Sequence, residues 1–225
     1  MKTLLSIILF CLINFHKSIF AFVPSGRGEH NAVLVDKRLY FHGGWTEGKE
    51  YVSRLVSKFN TISLQWCEST TSGSIPIEEI KFVHCAILRH NIYIYAGYAV
   101  HKMNILDTSK LFWSIFTSSL IYSGTYLYSA TLLNDSILYI GGKFHSLDGC
   151  QTNSNQELPI SIFNTNDNTW RIVTTSGQIP TRKCDHASVY IPQHNRILLF
   201  YGADDITINS LDTLTYLDNT CDFKL

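Results

Sequence analysis

Three histidines, His30, His84 and His186, return at one place in a repeating pattern, and they are the first residues here that could do chemistry. Imidazoles drawn from separate segments are a common way to hold a metal or to move protons near neutral pH. Recurrence points elsewhere. A side chain that returns with the repeat usually serves the fold, by packing or by hydrogen bonding across a unit. Among the non-repeated histidines, His42 closes a strand pattern, His194 lies in the turn Pro-Gln-His-Asn, and His101 and His145 lie in loops. No His-x-x-x-His or Glu-x-x-His spacing joins them. The adjacent carboxylates Asp204 and Asp205 are of a type that binds cations, but such pairs are common in solvated turns. No Gly-x-Ser-x-Gly elbow or Walker-type loop is present. The Gly-Gly pairs follow strand patterns and open no helix, so they make no phosphate cradle.

Beyond Cys11 there are five cysteines, Cys67, Cys85, Cys150, Cys184 and Cys221, and with no Cys-x-x-Cys among them zinc is not expected. Their connectivity is not fixed by sequence, and an odd number leaves one over. Cys67 and Cys221 lie near strand ends, where pairing is easier. Cys85, inside a strand pattern, is expected to be a small buried side chain. The one Asn-x-Ser/Thr match, Asn134-Asp135-Ser136, falls at a hairpin tip, where a glycan on Asn134 would point into solvent.

The elements that must position these residues are hairpins. Arg27 to Gly44 reads as an Arg-x-x-His lead, an alternating apolar run, a polar turn at Asp36-Lys37-Arg38, a second apolar run and a Gly-Gly stop. The pattern returns in hairpins ending at Gly97, Gly142 and Gly202, with Tyr128 in the histidine's place in the third. After each of the first three comes a strand ending in Asn or Asp and then Trp66, Trp113 or Trp170; the fourth copy has only Leu-Thr-Tyr-Leu-Asp-Asn-Thr. Copy two has Ala96-Gly97 and copy four Tyr201-Gly202 for the Gly pair, and Leu198-Leu199-Phe200 is expected to supply a buried strand. The step Ser-Gly-x-Ile-Pro at Ser72–Pro76 recurs at Ser176–Pro180, which implies one turn geometry at equivalent joins.

A period of roughly 45 to 60 residues with a double Gly, a Tyr before it and a Trp after it resembles kelch-type propeller blades. The resemblance covers the chain from about Arg27 onward. It implies an all-β, kelch-type β-propeller of about four blades, the last incomplete, with repeats near 27–76, 82–120, 126–180 and 182–225. Such rings usually close with six or seven blades, so the expectation is a partial or open propeller, a fragment of a longer one, or a homodimer in which two chains complete the ring. The enzymatic branch of this group resembles galactose oxidase. Its copper site needs two tyrosines and two histidines, with one tyrosine bonded to a cysteine, and no such set can be matched here. The expected function is therefore binding without a cofactor, to an extracellular protein or glycan. A copper-dependent sugar or alcohol oxidase is the alternative.

Composition agrees with one domain, residues 22–225. Hydrophobic residues are 45%, enough for a sizeable core, and charged residues only 16%, with 18 basic against 18 acidic. No basic stripe suggests nucleic acid. Residues 1–21, a Lys2 start, an apolar run from Thr3 to Phe15 and a small residue at Ala21, describe a secretory signal peptide. The run is short for a membrane span, so a secreted product with no stable membrane insertion is expected. The longest irregular stretch, Lys143 to Pro159, is the expected contact loop, with His145, Asp148 and Gln151 as its polar candidates. Trp45 and Tyr98, just after the Gly stops, are of a type that stacks on sugars, although the blade cores need aromatics and burial is expected for both.

Overall fold

The computed structural model describes residues 24–46, 56–76, 84–96, 102–117, 126–143, 159–173, 184–200 and 202. The predicted signal segment, the loop candidates His145, Asp148 and Gln151, Tyr98 and the second Ser-Gly-x-Ile-Pro step lie outside them. Three antiparallel sheets and one hairpin follow one another along the chain. Blade 1 is β1 (Asn31–Val35), β2 (Arg38–His42), β3 (Val56–Asn60) and β4 (Gln65–Ser69), in that spatial order. Blade 2 is β6 (Cys85–Leu88), β7 (Asn91–Ala96), β8 (Lys102–Asp107) and β9 (Phe112–Thr117), with β5 (Ser72–Gly73) added outside β9. Blade 3 is β10 (Ser129–Leu133), β11 (Ser136–Ile140), β12 (Ile160–Asn164) and β13 (Thr169–Ile172). The fourth unit is the hairpin of β14 (Ala187–Ile191) and β15 (Arg196–Phe200), joined by the short 3-10 turn Pro192–His194.

The first strands stand side by side: β6 meets β1 on one side and β10 on the other, and β10 meets β14. This is the arrangement of blades around a propeller axis, and the four units form an arc rather than a closed ring. One core runs through blades 1 to 3, with Trp113, Ile92, Ile94, Tyr128, Tyr139 and Phe163 all fully buried. A second joins blade 3 to the last hairpin through Leu138, Ile140, Ile162, Ile197 and Leu199.

The Gly-Gly stops have a local cause. Gly44 and Gly142 have φ of +81° and +85°, the left-handed region that other residues enter only at a cost. Each also passes against the lead-in chain. A Cβ on Gly44 would lie 2.3 Å from the Gly28 carbonyl oxygen, and one on Gly142 would lie 2.7 Å from that of Tyr126. The contact is fixed by paired backbone hydrogen bonds, Gly28 with Trp45 and Tyr126 with Lys143.

The Asn or Asp at each third-strand end also has a purpose, and the following threonine shares it. The side-chain oxygens of Asn60, Asp107 and Asn164 accept from backbone N–H groups two residues on. The next residue is Thr61, Thr108 or Thr165, and each donates its hydroxyl to a carbonyl in the turn of the first hairpin: Lys37, His90 and Asp135. Asp107 also accepts from the Ser109 hydroxyl, which with the backbone donors holds its carboxyl down at about 2.

Ser-Gly at Ser72–Gly73 lies parallel to β9, with Ser72 N–H donating to Leu111 and Ser74 N–H to Trp113. The join after blade 1 is therefore an extra strand on blade 2 as well as a turn. In the last hairpin the Leu198-Leu199-Phe200 run alternates: Leu199 is buried and Phe200 is 39% exposed. The expectation of a buried run is corrected there, because the side chains of a strand point to opposite faces and only one face of this hairpin meets blade 3.

Candidate blade-face interaction site

The recurrent lead residues tie one blade to the blade before it. The Tyr128 hydroxyl, at the head of blade 3, lies 2.9 Å from the His84 carbonyl and 2.5 Å from the Tyr95 carbonyl of blade 2. His186, at the head of the last hairpin, has Nε2 2.8 Å from Ser129 Oγ of blade 3, both buried. The residue before each, Leu127 and Asp185, has a φ near +55°, as does Glu29 before His30. His30 heads blade 1, and among the described residues no blade stands before it. Its Nδ1 lies 3.1 Å from the carbonyl of Arg27 in its own lead, and the ring is exposed beside Phe41. Tyr128 and His186 thus each serve a joint between blades.

Each blade has two faces. Pairing places Leu39, Phe41, Phe59 and Trp66 on one face of blade 1. The same register places Ile92, Ile94, Leu106 and Trp113 together in blade 2, and Ile137, Tyr139, Phe163 and Trp170 together in blade 3. This Trp-bearing face leads toward the preceding blade. In blade 2 it is covered by blade 1, and His42 meets Trp113 edge-on at 6.4 Å. In blade 3 it is covered by blade 2: Tyr95 stands 4.8 Å from Trp170, Phe163 packs on Tyr93 and Phe116, and the Tyr139 hydroxyl reaches Met103 Sδ at 3.6 Å. The result is complete burial of Ile92, Ile94, Leu106 and Trp113, each 0% exposed. In blade 1 the corresponding Leu39, Phe41, Phe59 and Trp66 are only half-buried.

Over that face opens a cleft of about 280 Å³, lined by Pro24, Arg27, His30, Phe41, Ser57 and Trp66, with Ser25 and Gly26 at its lip. Its floor is aromatic, with Trp66 4.9 Å from Phe41 and 5.0 Å from Phe59. Its one cation is Arg27, whose Nη2 donates to Ser57 Oγ at 3.3 Å and whose Nη1 is buried without a hydrogen-bond partner. Burial lowers the Arg27 pKa from its ordinary value, and the Glu68 carboxylate opposes that shift. The cleft offers an aromatic surface of mutually tilted rings and a charged rim, which suit an inserted aromatic or aliphatic side chain. No nucleophile stands next to a base in it.

The remaining chemistry-bearing residues do not converge. Among the described residues, no three His, Cys, Asp or Glu side chains stand close enough together to hold a metal. His42 is enclosed between blades 1 and 2, with neither ring nitrogen hydrogen-bonded. Burial first, and then the nearby Arg27 and His30 charges, push its pKa down to about 3. The unfolded chain takes a proton on this imidazole near pH 6.5, and the folded chain takes none until about 3. Stability is therefore full above pH 6.5 and falls as pH drops toward 3, at about 1.4 kcal/mol per pH unit from this group. His42→Phe, which places an aromatic where blade 2 has Tyr95, is expected to flatten that slope in denaturant titrations run at pH 7, 6, 5 and 4.

Cys184 is disulfide-bonded and buried. Cys67, expected to be well placed for pairing at a strand end, instead lies mid-strand in β4 as an exposed free thiol. Cys85 is a free, half-buried thiol, its pKa pushed up to about 12 by burial, with Sγ 3.7 Å from Asn31 Oδ1 of blade 1. Asn134 stands exposed at the two-residue turn between β10 and β11, with φ +54°. Trp45 is 46% exposed, against the expectation of burial. It lies past the Gly pair, where its indole covers Gly28 from outside, with Nε1 3.1 Å from a Cβ position there.

No protein-family model matches the chain. It is 24% identical over 203 residues to Kelch domain-containing protein 3 of Bos taurus, an alignment of 83% of this chain and 50% of that protein. The Rattus norvegicus Kelch domain-containing protein 3 is 26% identical over 195 residues, 80% of this chain and 49% of the relative. Acyl-CoA-binding domain-containing protein 4 of Arabidopsis thaliana is 24% identical over 189 residues, 76% of this chain and 27% of that protein. The fold is that of a kelch-repeat propeller. The chain spans about half the length of the Kelch domain-containing protein 3 relatives it matches. The solved structure of YjhT superposes with a TM-score of 0.60 at 12% identity, covering 78% of this chain and 59% of that one. A kelch-repeat propeller is in general a protein-interaction scaffold, and among the described residues of this arc the aromatic face of blade 1 carries an open cleft. Among the described residues, no helix is long and apolar enough to cross a membrane.

Proposed function

We propose that this chain is a secreted, non-catalytic interaction module whose principal binding surface is the leading face of blade 1. The observation that carries this reading is the contrast between Trp113 and Trp66. Both hold the same position in the repeat; one is fully buried under a neighbouring blade and the other lines an open cleft. Aromatic side chains in a concave, partly desolvated site are the usual anchors of protein binding. A protein partner fits this face better than a glycan, because an unpaired guanidinium Nη1 buried beside tilted aromatic rings offers little of the polar lining a sugar needs. Exposed Trp45 is an aromatic of a type suited to a glycan. The Lys143–Pro159 loop, with His145, Asp148 and Gln151, is a second contact surface in this reading. Export follows from the N-terminal segment, and Asn134 is the glycan acceptor because its turn position leaves the amide accessible.

The test is expression of the full chain from a eukaryotic secretory host, followed by capture of partners from conditioned medium. The product is expected in the medium with its N-terminus near residue 22 and with a glycosidase-sensitive mass that Asn134→Gln removes. Trp66→Asp is expected to abolish partner capture. Loss with a His145→Ala, Asp148→Ala, Gln151→Ala triple variant alone would move the binding site to the loop. Capture unaffected by either change, or a product retained in the cell and never cleaved, would overturn the corresponding part of the proposal.

A further inference from the structure

The two joints described between blades share one rule. The residue just before the Gly-Gly step of one blade inserts against the tryptophan of the next: His42 before Gly43 meets Trp113, and Tyr95 before Ala96-Gly97 meets Trp170. Counted the same way, Phe200 before Tyr201-Gly202 is the inserting residue of the last hairpin. Pairing agrees, since His42 lies opposite Asn31 and Phe200 opposite Ala187, each one residue past the lead histidine. Phe200 is 39% exposed, and Val189 on the same face is 45% exposed. At one end of the described arc there is thus a tryptophan cleft that no described residue fills. At the other end there is an aromatic knob that enters no described cleft.

We infer that these two ends meet between two copies of the chain, Phe200 of each inserting into the Trp66 cleft of the other. The occupant is a second copy because the chain itself carries the matching half. The trailing face of a blade covers the leading face of the next at both described joints, and the trailing face exposed on β14 and β15 is apolar at the corresponding positions, Val189, Leu198 and Phe200. His30 gives a second, independent sign. At two of the other three heads Tyr128 and His186 bond back to a preceding unit, whereas His30 reaches its own lead-in. A head-to-tail contact of this kind closes into a ring when the rotation per chain allows it, and four units from each of two chains give a blade number within the range of closed propellers. Arg27 at the rim would then lie inside the joint, next to the incoming hairpin. This inference rests on the reading of the blade 1 face as the binding surface and names its partner.

The test is sedimentation velocity of the signal-cleaved full chain, with variants at each half of the joint. Wild type is expected at twice the chain mass. Phe200→Asp and Trp66→Asp are each expected to give folded monomers, with affinity weakened at least about 30-fold per joint, as for loss of a central aromatic anchor. An equimolar mixture of the two variants is expected to recover dimer, because the Trp66 of one and the Phe200 of the other still form one intact joint. Should an aspartate variant fail to melt cooperatively, Phe200→Ala and Val189→Asp make the same measurement. A wild-type monomer overturns the inference, as does a dimer indifferent to Phe200. A monomer that still captures a partner through Trp66 would sink this inference while leaving the proposed binding face standing. Loss of Trp66 dependence in both assays would remove both.

Discussion

Trp113→Ala is expected to destabilise the protein by about 3–5 kcal/mol, the range for emptying a fully buried large aromatic site. Trp113 is 0% exposed, at the joint between blades 1 and 2, so truncation opens a cavity against His42, Ile92 and Leu106 that strands cannot collapse to fill. The same change at Trp66 is expected to cost much less in a monomer, roughly half or under, because that indole is only partly buried. Urea titrations of the two variants at pH 7.5 measure the difference. Equal costs would mean that the blade 1 face is covered in solution, and in a dimer the Trp66 cost should rise with protein concentration. The pair therefore reads the state of the open face as well as the strength of the core.

Gly44→Ala is expected to be as damaging, by a different route. A methyl there would lie 2.3 Å from the Gly28 carbonyl oxygen on a backbone with φ +81°. Both the left-handed geometry and the close approach of two backbones oppose it, and neither a rotamer change nor a side-chain shift relieves them. A loss of about 2–4 kcal/mol follows from the larger mechanisms of single-residue destabilisation. Gly142→Ala should behave alike, since its Cβ would lie 2.7 Å from the Tyr126 carbonyl. Gly26→Ala is the control, with no atom within 4 Å of the added carbon, and is expected to stay within about 0.5 kcal/mol of wild type. Thermal melts of the three variants side by side separate the two glycine roles.

The repeat was legible in the sequence because its devices are local. Alternation of apolar residues marks the strands, the Gly pairs mark a backbone approach that only glycine permits, and each Asn or Asp marks a turn it caps. Thr61, Thr108 and Thr165 were equally visible beside those caps, but a single threonine carries no signal until its hydroxyl is seen reaching the neighbouring turn. What lay beyond the sequence was which face of each strand meets which neighbour. Phe200 continues an apolar run yet looks outward, Trp45 follows a glycine pair yet lies on the surface, and Cys67 lies within a strand with its thiol exposed. These outcomes depend on tertiary contacts, and hydrophobicity along the chain does not encode them. The proposed binding face was hidden for the same reason: the residues of Trp66 and Trp113 have the same repeat pattern, and among the described residues only Trp113 has a blade packed on its leading side. The loop candidates His145, Asp148 and Gln151 lie outside the described residues, so the face and the loop remain separate proposals with separate variants.

Ser72 and Gly73 belong by sequence to the first repeat and by hydrogen bonding to the second. The period at which the chain repeats and the border at which its sheets divide are therefore out of phase by one short strand. A blade excised at the apparent end of the first repeat, after Pro76, would leave its outermost strand β9 bare, with free N–H and C=O groups ready to pair with any other strand. Excised before Ser72, the same blade carries its own selvedge. For anyone recombining these units, and for the duplications that multiplied them, the seam lies upstream of where the pattern of letters puts it.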